Sequence, residues 1–268
     1  MKHLVILIFG IVGMTFVRAQ NIQPVHTVSQ AYAAYADKGI AGLFSNQAGL
    51  HAISGVSIEA SALQRYFSEG ILEMNVGAAL PLGTYTAGGI FVRRFGDDIF
   101  SEQSFGLALS RQLFESISLG IALEAYQISI ENYGNNWQFN TQIGFQADLT
   151  KSIRIGTHLF LPLEEPDQLS FSNQALLNID VSVVAEKHLT VKAGVRKLND
   201  EDLGVKVALI YEPVEKFEIQ TGVLTFPSQY SFGAGVDIFN NMQLFATGLF
   251  QSDLGWSSGL SLRYVPKQ

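Results

Sequence analysis

The fold of this chain is decided by residues 137–149, which read WQFNTQIGFQADL. The odd-numbered positions carry apolar or small side chains, among them Trp137, Phe139 and Ile143. The even-numbered positions carry polar side chains or glycine, among them Gln138 and Asp148. Successive side chains of a β-strand point to opposite faces, so this period of two predicts a strand with one apolar and one polar face.

The same alternation recurs from about Ser54 to the end of the chain. Turn signals divide this part into about fourteen segments, namely 54–66, 71–82, 84–95, 103–113, 116–131, 137–149, 152–163, 174–185, 189–198, 203–212, 216–226, 230–239, 242–252 and 255–265. Most segments span roughly 10–13 residues, whereas strands of globular sheets usually span about 5–6. The alternation is weakest in the third segment, where Gly88 and Gly89 are adjacent. The chain is therefore predicted to be all-β.

Long amphipathic strands in this number occur in soluble sandwiches or barrels and in outer-membrane barrels. The strands match the roughly 9–11 residues that a tilted strand needs to cross a bilayer, and their even number returns both ends to the periplasm. Aromatic residues cluster near the strand ends, and tight connections alternate with longer ones. We therefore predict a transmembrane antiparallel β-barrel over residues 54–268, in contact with the lipid of the bacterial outer membrane.

The first residues have the pattern of a secretory signal peptide. Lys2 and His3 precede an apolar run over residues 4–16, and small residues end at Ala19. A transmembrane helix is the alternative, but a run of about 13 apolar residues is too short to span a bilayer. Residues 1–19 are predicted to be removed, so that the mature chain begins at Gln20.

The composition excludes several classes of partner and site. The chain has 15% charged residues, a formal net charge of −7 and no cysteine. The acidic balance argues against binding to nucleic acid. Without cysteine there is no disulfide framework, no thiolate metal site and no lipidated N-terminal cysteine. A soluble domain carries about 25% charged residues, and a barrel whose outer face meets lipid accounts for the deficit.

The predicted topology makes the connections over residues 96–102, 132–136, 164–173 and 199–202 extracellular. The outer connections carry acidic residues, namely Glu69, Asp97, Asp98, Glu102, Glu164, Glu165, Asp167, Asp200, Glu201, Asp202 and Asp253. A solvated rim explains them, and a divalent-cation site is the alternative because clustered carboxylates suit calcium. Asp200, Glu201 and Asp202 lack the spacing of a calcium loop, so no metal ligands are predicted.

The inward faces of the strands carry charges of both signs. The residues are Glu59, Glu73, Glu124, Asp148, Asp180, Glu212, Glu218, Asp237, Arg154, Lys192, Arg196, Lys206 and Arg263. A selective pore would more naturally carry a ring of one sign, whereas mixed signs favour salt bridges between strands. His158 is expected to face the lumen and to hydrogen-bond within this lattice.

The segment before the first strand, residues 20–53, is expected to form a small helical plug, or hatch, in the lumen. Residues 28–36 are rich in alanine, and Ser29 is a suitable N-cap, so a helix is predicted there. A barrel of about fourteen strands is wider than one that its own side chains can fill, which leaves room for a plug. A frayed periplasmic tail is the alternative, but this composition is unlike that of disordered segments.

Residues 42–50 read GLFSNQAGL and lead into the first strand. They resemble the Asn-Pro-Ala-Gly-Leu signature of the FadL/PorV-like outer-membrane barrels, with Gln47 in place of the proline. The resemblance implies fourteen strands and an N-terminal hatch whose turn and signature residues are Gly39, Gly42, Asn46, Gly49 and Leu50. Apolar and aromatic hatch residues that could contact a ligand in the lumen are Tyr32, Tyr35, Leu43 and Phe44.

Residues that could support catalysis or bind a cofactor do not form a recognisable site. Residues 255–259 match the G-x-S-x-G pattern, but they fall in a predicted strand, and no histidine follows them. The five histidines show no metal-ligand spacing, and there is no phosphate loop or dinucleotide fingerprint. We therefore predict a non-enzymatic protein without a cofactor.

The sequence leaves three functions open. The first is an accessory subunit or docking partner of an envelope machine, for type IX secretion or outer-membrane protein assembly. The PorV-like resemblance implies it, and the short outer connections, the lumen charges of both signs and the expected plug favour it. Its partners would be other outer-membrane or periplasmic proteins. The second is passive transport of small hydrophobic molecules, as in the fatty-acid branch of the resembled family. An open porin is a third possibility, which a seated hatch should suppress.

Overall fold

The structure is a computed structural model that describes residues 22–68, 70–163, 174–199, 201–239 and 241–266. The predicted signal peptide, residues 1–19, lies outside the described residues, as do residues 20 and 21. From Ile22 to the first strand, the described residues form α1 (Val25–Val28) and two 3₁₀ helices, Ile40–Leu43 and Gln47–Ala52. No helix in the described part of the chain is both long enough and apolar enough to cross a membrane.

Fourteen antiparallel strands follow and close into one barrel, as predicted. They are β1 (Ser57–Gln64), β2 (Leu72–Gly83), β3 (Thr86–Gly96), β4 (Phe100–Phe114), β5 (Ile117–Ile130), β6 (Gly134–Asp148), β7 (Ile153–Pro162), β8 (Leu176–Glu186), β9 (Leu189–Leu198), β10 (Gly204–Val214), β11 (Phe217–Leu224), β12 (Gln229–Phe239), β13 (Met242–Gln251) and β14 (Gly255–Tyr264). Each strand pairs with its neighbour in sequence, and β1 pairs with β14 from Ile58–Tyr264 to Gln64–Ser258. Closure leaves no unpaired sheet edge along the ladder.

The period-two pattern places apolar side chains on the outside of the barrel. Phe139 on β6 and Leu107 on β4 are 53% and 65% exposed, while Gln138 and Gln142 on the opposite face of β6 are buried. Apolar side chains that face outward in this way are suited to lipid rather than to water. The 255–259 motif lies in β14, which confirms that it is part of a strand.

Several outer connections are shorter than the sequence predicted. The connection expected over residues 96–102 spans only 97–99, because β4 already begins at Phe100. Gly96 has a positive φ of 105°, and Asp97 Oδ1 accepts hydrogen bonds from the backbone N–H groups of Ile99 and Phe100, both at 2.8 Å. Because the turn is so tight, β3 continues to Gly96 and β4 begins at Phe100, closer to the turn than predicted.

The acidic residues of the outer turns also differ from the predicted set. Glu102 lies in β4 and is buried facing the lumen, so its assignment to an outer loop was wrong. Asp97, Asp98, Glu201, Asp202 and Asp253 lie in described outer turns, whereas Glu69, Glu164, Glu165, Asp167 and Asp200 lie outside the described residues. Within the described ranges, no group of three or more acidic or histidine side chains is arranged to hold a metal ion.

Candidate functional site

The lumen is occupied by the segment Ile22–Ile53, which is called the hatch below. Its residues 22–36 and 40–50 are all buried. The hatch contacts strands around the barrel: α1 packs on β13, β14 and β1, and the second 3₁₀ helix packs on β3 to β6. The candidate site is therefore the contact between this segment and the inner wall.

The alanine-rich helix predicted over residues 28–36 is absent, and this prediction was wrong. The α-helix ends at Val28, Ser29 is its C-cap, and Ala31 and Tyr32 have positive φ values of 48° and 63°. The backbone N–H of Ala31 donates to Ser231 Oγ at 3.0 Å, and this hydroxyl donates to the Ser29 carbonyl at 3.0 Å. The segment thus forms turns with local backbone hydrogen bonds and adds hydrogen bonds to the wall, because side chains of β12 can reach its backbone.

Inward-facing glycines of the wall make room for the hatch backbone. A Cβ atom at Gly156 on β7 would lie 1.9 Å from the Tyr35 carbonyl oxygen. A Cβ atom at Gly120 on β5 would lie 2.3 Å from the backbone nitrogen of Ala48. Real Cβ atoms do not approach other atoms so closely, so these positions require glycine for close approach.

Asn46 connects two parts of the hatch with the wall. Its Oδ1 accepts a hydrogen bond from the N–H of Ala48 at 3.1 Å, which caps the second 3₁₀ helix. Its Nδ2 donates to the carbonyl oxygens of Tyr35 at 2.6 Å and Phe145 at 3.1 Å. Gln47, which stands where the resembled signature has proline, donates through Nε2 to Gln142 Oε1 on β6 at 2.9 Å.

The other signature residues close the same turn of the hatch. Gly39 has a positive φ of 88°, and its N–H donates to the Gly49 carbonyl at 2.9 Å. A Cβ atom at Gly49 would lie 2.1 Å from the Asp37 carbonyl oxygen, and one at Gly42 would lie 2.9 Å from the Leu50 nitrogen. The five predicted hatch residues are therefore brought together, and the contacts that bring them together are structural ones.

The second half of the hatch meets an apolar part of the wall. Leu43 and Phe44 insert beside β2 and β3, where a Cβ atom at Gly77 would lie 2.6 Å from both side chains. A Cβ atom at Gly89 would lie 2.7 Å from Leu43, and the rings of Phe44 and Phe91 have centroids 6.0 Å apart. Gly77, Gly89 and Phe91 are called the Phe44 seat below.

Tyr32 and Tyr35 lie apart from this apolar seat and contact charged groups. The Tyr32 hydroxyl lies 3.4 Å from Arg65 Nη2. The Tyr35 ring packs against His158, with centroids 5.0 Å apart, and lies 4.6 Å from Lys206 Nζ. The four predicted ligand contacts are thus divided between a polar side and an apolar side of the hatch.

Several of the charges predicted to face the lumen form ion pairs, as the sequence predicted. Paired atoms include Lys206 Nζ and Asp180 Oδ1 at 2.6 Å and Arg263 Nε and Glu59 Oε2 at 3.5 Å. Other pairs join the wall to the hatch rather than strand to strand, namely His26–Glu59, Lys38–Asp148 and Lys192–Asp37. His158 is buried and its Nε2 lies 3.1 Å from Gln142 Oε1, as expected.

Two buried arginines of the lumen were missed from the sequence. Arg65 Nη2 lies 2.6 Å from Glu73 Oε2, and Arg93 Nη1 lies 3.7 Å from Glu124 Oε2. Arg93 occupies an inward position in the alternation of β3, but the glycines of that strand obscured the alternation. Arg65 lies in the predicted segment 54–66 on the same face as Glu59, so the alternation could have identified it as inward-facing.

A cavity of about 160 Å³ lies beside the first residues of β13 and the last residues of β14. It is lined by Asp237, Asn241, Met242, Gln243, Arg263, Val265 and Pro266. None of the four predicted ligand contacts lines it, so it is separate from the hatch residues singled out above.

Comparison with known proteins gives matches of fold only. No protein-family profile matches the chain, and no curated protein sequence does. Solved structures with a similar fold include a FadL homologue from Pseudomonas aeruginosa, with 11% identity, a TM-score of 0.69 and coverage of 91% of this chain and 98% of that one. The toluene transporter TbuX from Ralstonia pickettii gives 10% identity, a TM-score of 0.69 and coverage of 91% and 98%.

The monoaromatic hydrocarbon channel CymD gives 12% identity, a TM-score of 0.68 and coverage of 92% and 98%. These likenesses extend over nearly all of each chain, so they concern the whole barrel. The closed fourteen-strand barrel with an apolar exterior has the FadL-like fold, which is that of an outer-membrane protein. The solved neighbours are transporters and channels rather than enzymes.

Proposed function

We propose that this chain lets small hydrophobic molecules pass through the outer membrane by passive transport. The observation that carries the proposal is the Phe44 seat, in which hatch side chains fill an apolar site on the inner wall. The fold shared with a toluene transporter and a monoaromatic hydrocarbon channel supports the same class of cargo.

The chemistry of the seat suits an apolar ligand. Phe44 packs among alanines and other apolar residues of β2 to β5, and the seat itself presents two glycines and the ring of Phe91. A molecule the size of a phenyl ring could replace Phe44 there with little change in buried apolar surface. The ligand would therefore contact Gly77, Gly89 and Phe91 in place of Leu43 and Phe44. Tyr32 and Tyr35 border the polar side.

The rest of the lumen is poorly suited to an open aqueous pore. The hatch is buried over most of its length, and wall side chains such as Ser231 and Gln146 hydrogen-bond to its backbone. Passage in this proposal requires only that Leu43 and Phe44 leave their seat, while the polar contacts keep the remainder in place. Conductance in planar bilayers is expected to stay at the baseline of protein-free membranes.

Uptake of radiolabelled toluene tests this proposal. Cells that express the chain together with a cytoplasmic toluene-oxidising enzyme as a trap are expected to take up micromolar toluene faster than cells with an empty vector. Phe44→Ala should raise the rate because it empties the seat. Phe139→Ala is the matched control, since it removes the same ring from the outer face of β6. Uptake by wild-type cells equal to that of empty-vector cells would overturn the proposal.

A second candidate is an accessory subunit or docking partner of an envelope machine, as in PorV-like barrels of type IX secretion or in outer-membrane protein assembly. The observation that favours it is the shortness of the outer turns over residues 97–99, 131–133 and 252–254, which provide no groove for a ligand. Gentle extraction from native membranes followed by size-exclusion chromatography tests it. A monomer without a co-purifying envelope protein would count against this candidate.

A further inference from the structure

We infer that Glu124 sets the charge selectivity of the Phe44 seat by neutralising Arg93, so that the seat accepts uncharged arenes and refuses aromatic carboxylates. This inference rests on the proposed function, because it specifies which hydrophobic molecules the seat takes.

Arg93 is the cation closest to the seat. Its Nη2 donates to the Phe44 carbonyl at 3.0 Å, and its guanidinium carbon lies 4.5 Å from the centre of the Phe91 ring. The same carbon lies 5.9 Å from the centre of the Phe44 ring. A ring in the place of Phe44 would therefore present a carboxylate substituent within reach of this guanidinium.

Glu124 already occupies the role that such a carboxylate would play. Its Oε2 lies 3.7 Å from Arg93 Nη1 and accepts a hydrogen bond from Gln142 Nε2 at 2.7 Å. Arg93 and Glu124 are only 2% and 4% exposed, so water screens their interaction little. An anionic ligand would meet the carboxylate of Glu124 beside Arg93, and the repulsion between the two carboxylates would oppose any hydrogen bond that the ligand gains from Arg93.

Arg65, a further buried arginine of the lumen, is paired with a carboxylate through hydrogen bonds. Its Nε and Nη2 donate to Glu73 Oε2 at 2.9 Å and 2.6 Å. Arg196 also faces the lumen, but it lies on β9, across the barrel from β3. The distribution of paired charges thus favours an uncharged ligand at the seat.

Arg93 also has capacity for a further acceptor. Its Nε is buried and makes no hydrogen bond within the described part of the chain. Removing the negative charge of Glu124 would leave a buried guanidinium that a ligand carboxylate can satisfy. Glu124→Gln keeps the shape of the side chain and one oxygen that can accept from Gln142 Nε2, so it removes the charge with little change in volume.

Equilibrium dialysis of radiolabelled toluene and benzoate against nanodiscs containing the protein tests the inference, with empty nanodiscs as the blank. Wild-type protein is expected to bind toluene and to bind benzoate about tenfold more weakly or not at all. Glu124→Gln should strengthen benzoate binding by about tenfold or more, which is the range of a charge-assisted hydrogen bond, and should change toluene binding little.

The matched control is Glu218→Gln, because Glu218 also faces the lumen but its side-chain partner is Gln220 rather than an arginine. It should leave benzoate binding as weak as in the wild type. If Glu124→Gln does not fold, the double variant Arg93→Met with Glu124→Leu removes both charges, and it should bind toluene and refuse benzoate.

The outcomes separate this inference from the proposed function. If wild-type protein binds neither compound, the proposed function fails. If wild-type protein binds toluene and benzoate equally, or if the double variant binds benzoate, the charge selectivity is overturned while hydrophobic transport stands. If Glu124→Gln folds, binds toluene and still refuses benzoate, Glu124 is not the determinant.

Discussion

Asn46 Nδ2 donates a 2.6 Å hydrogen bond to the carbonyl oxygen of Tyr35, eleven positions earlier in the hatch. The same amide group reaches the Phe145 carbonyl of β6. One side chain therefore fixes the first half of the hatch to the second half and both to the wall. The signature residue is thus explained by the positioning of the hatch, without any contact to a ligand.

Asn46→Ala is expected to lower the free energy of unfolding by about 1–3 kcal/mol, because buried backbone carbonyls lose their donor. Urea unfolding in detergent micelles, followed by the fluorescence of the two tryptophans, measures this change. Asn135→Ala, at an exposed position of β6, is the control and should stay within about 0.5 kcal/mol of the wild type. Equal effects of the two substitutions would contradict the role of Asn46.

Gly156→Ala should destabilise the protein by about 1–3 kcal/mol, because the added Cβ would lie 1.9 Å from the Tyr35 carbonyl oxygen and would displace it. Gly83→Ala is the matched control, since a Cβ there meets no atom within 4 Å. The urea concentration at the midpoint of unfolding, measured for both variants, tests this difference in stability. A normal midpoint for Gly156→Ala would mean that the hatch does not lie against β7.

Lys206→Met should cost about 3–5 kcal/mol, because it leaves the buried carboxylate of Asp180 without its partner at 2.6 Å. The double variant Lys206→Met with Asp180→Asn should recover part of this loss, since the introduced amide would carry no charge and its oxygen could still accept from the Tyr35 N–H. A double-mutant cycle built from urea unfolding gives the interaction free energy between Lys206 and Asp180. Strictly additive losses would show that the two groups do not form a pair.

The β3–β4 turn should depend on the ionised form of Asp97. The N–H groups of Phe100 and Ile99 hold the pKa of this carboxyl below its ordinary value. Its contribution to the turn is therefore present above the pKa of the unfolded chain and is lost as the pH falls through the folded pKa. Hydrogen exchange at neutral pH should be faster at Ile99 and Phe100 in Asp97→Ala, and unchanged in Asp98→Ala. Equal exchange in both variants would rule out this role.

Much of the barrel could be predicted from the sequence, because strand alternation is a local property. The face of Trp137, Phe139 and Ile143 is recognisable from neighbouring residues alone, and fourteen such segments fix the strand number. The residues at which the strands end are harder to predict from the alternation. The turn at Asp97 depends on a side chain that binds two backbone N–H groups, and the acidic residues around it suggested a longer loop.

The hatch shows where local reasoning fails. Residues 28–36 have the composition of a helix, yet Ala31 and Tyr32 adopt positive φ values. The wall approaches this segment closely, since a Cβ on wall residue Gly222 would lie 2.8 Å from Ala31 Cβ. Hydrogen bonds from Ser231 then fix a conformation that intrinsic helix preference opposes.

The sequence by itself determined the all-β class, the number of strands and the face that meets lipid, because each depends on residues one or two positions apart. The tertiary structure alone decided which charges are paired and which glycines receive the hatch. Arg93 and Glu124 lie far apart in sequence on β3 and β5, and Phe44 precedes both strands. Pairing of β3, β4 and β5 places Arg93 near Glu124, and the seating of the hatch against these strands brings Phe44 to Arg93.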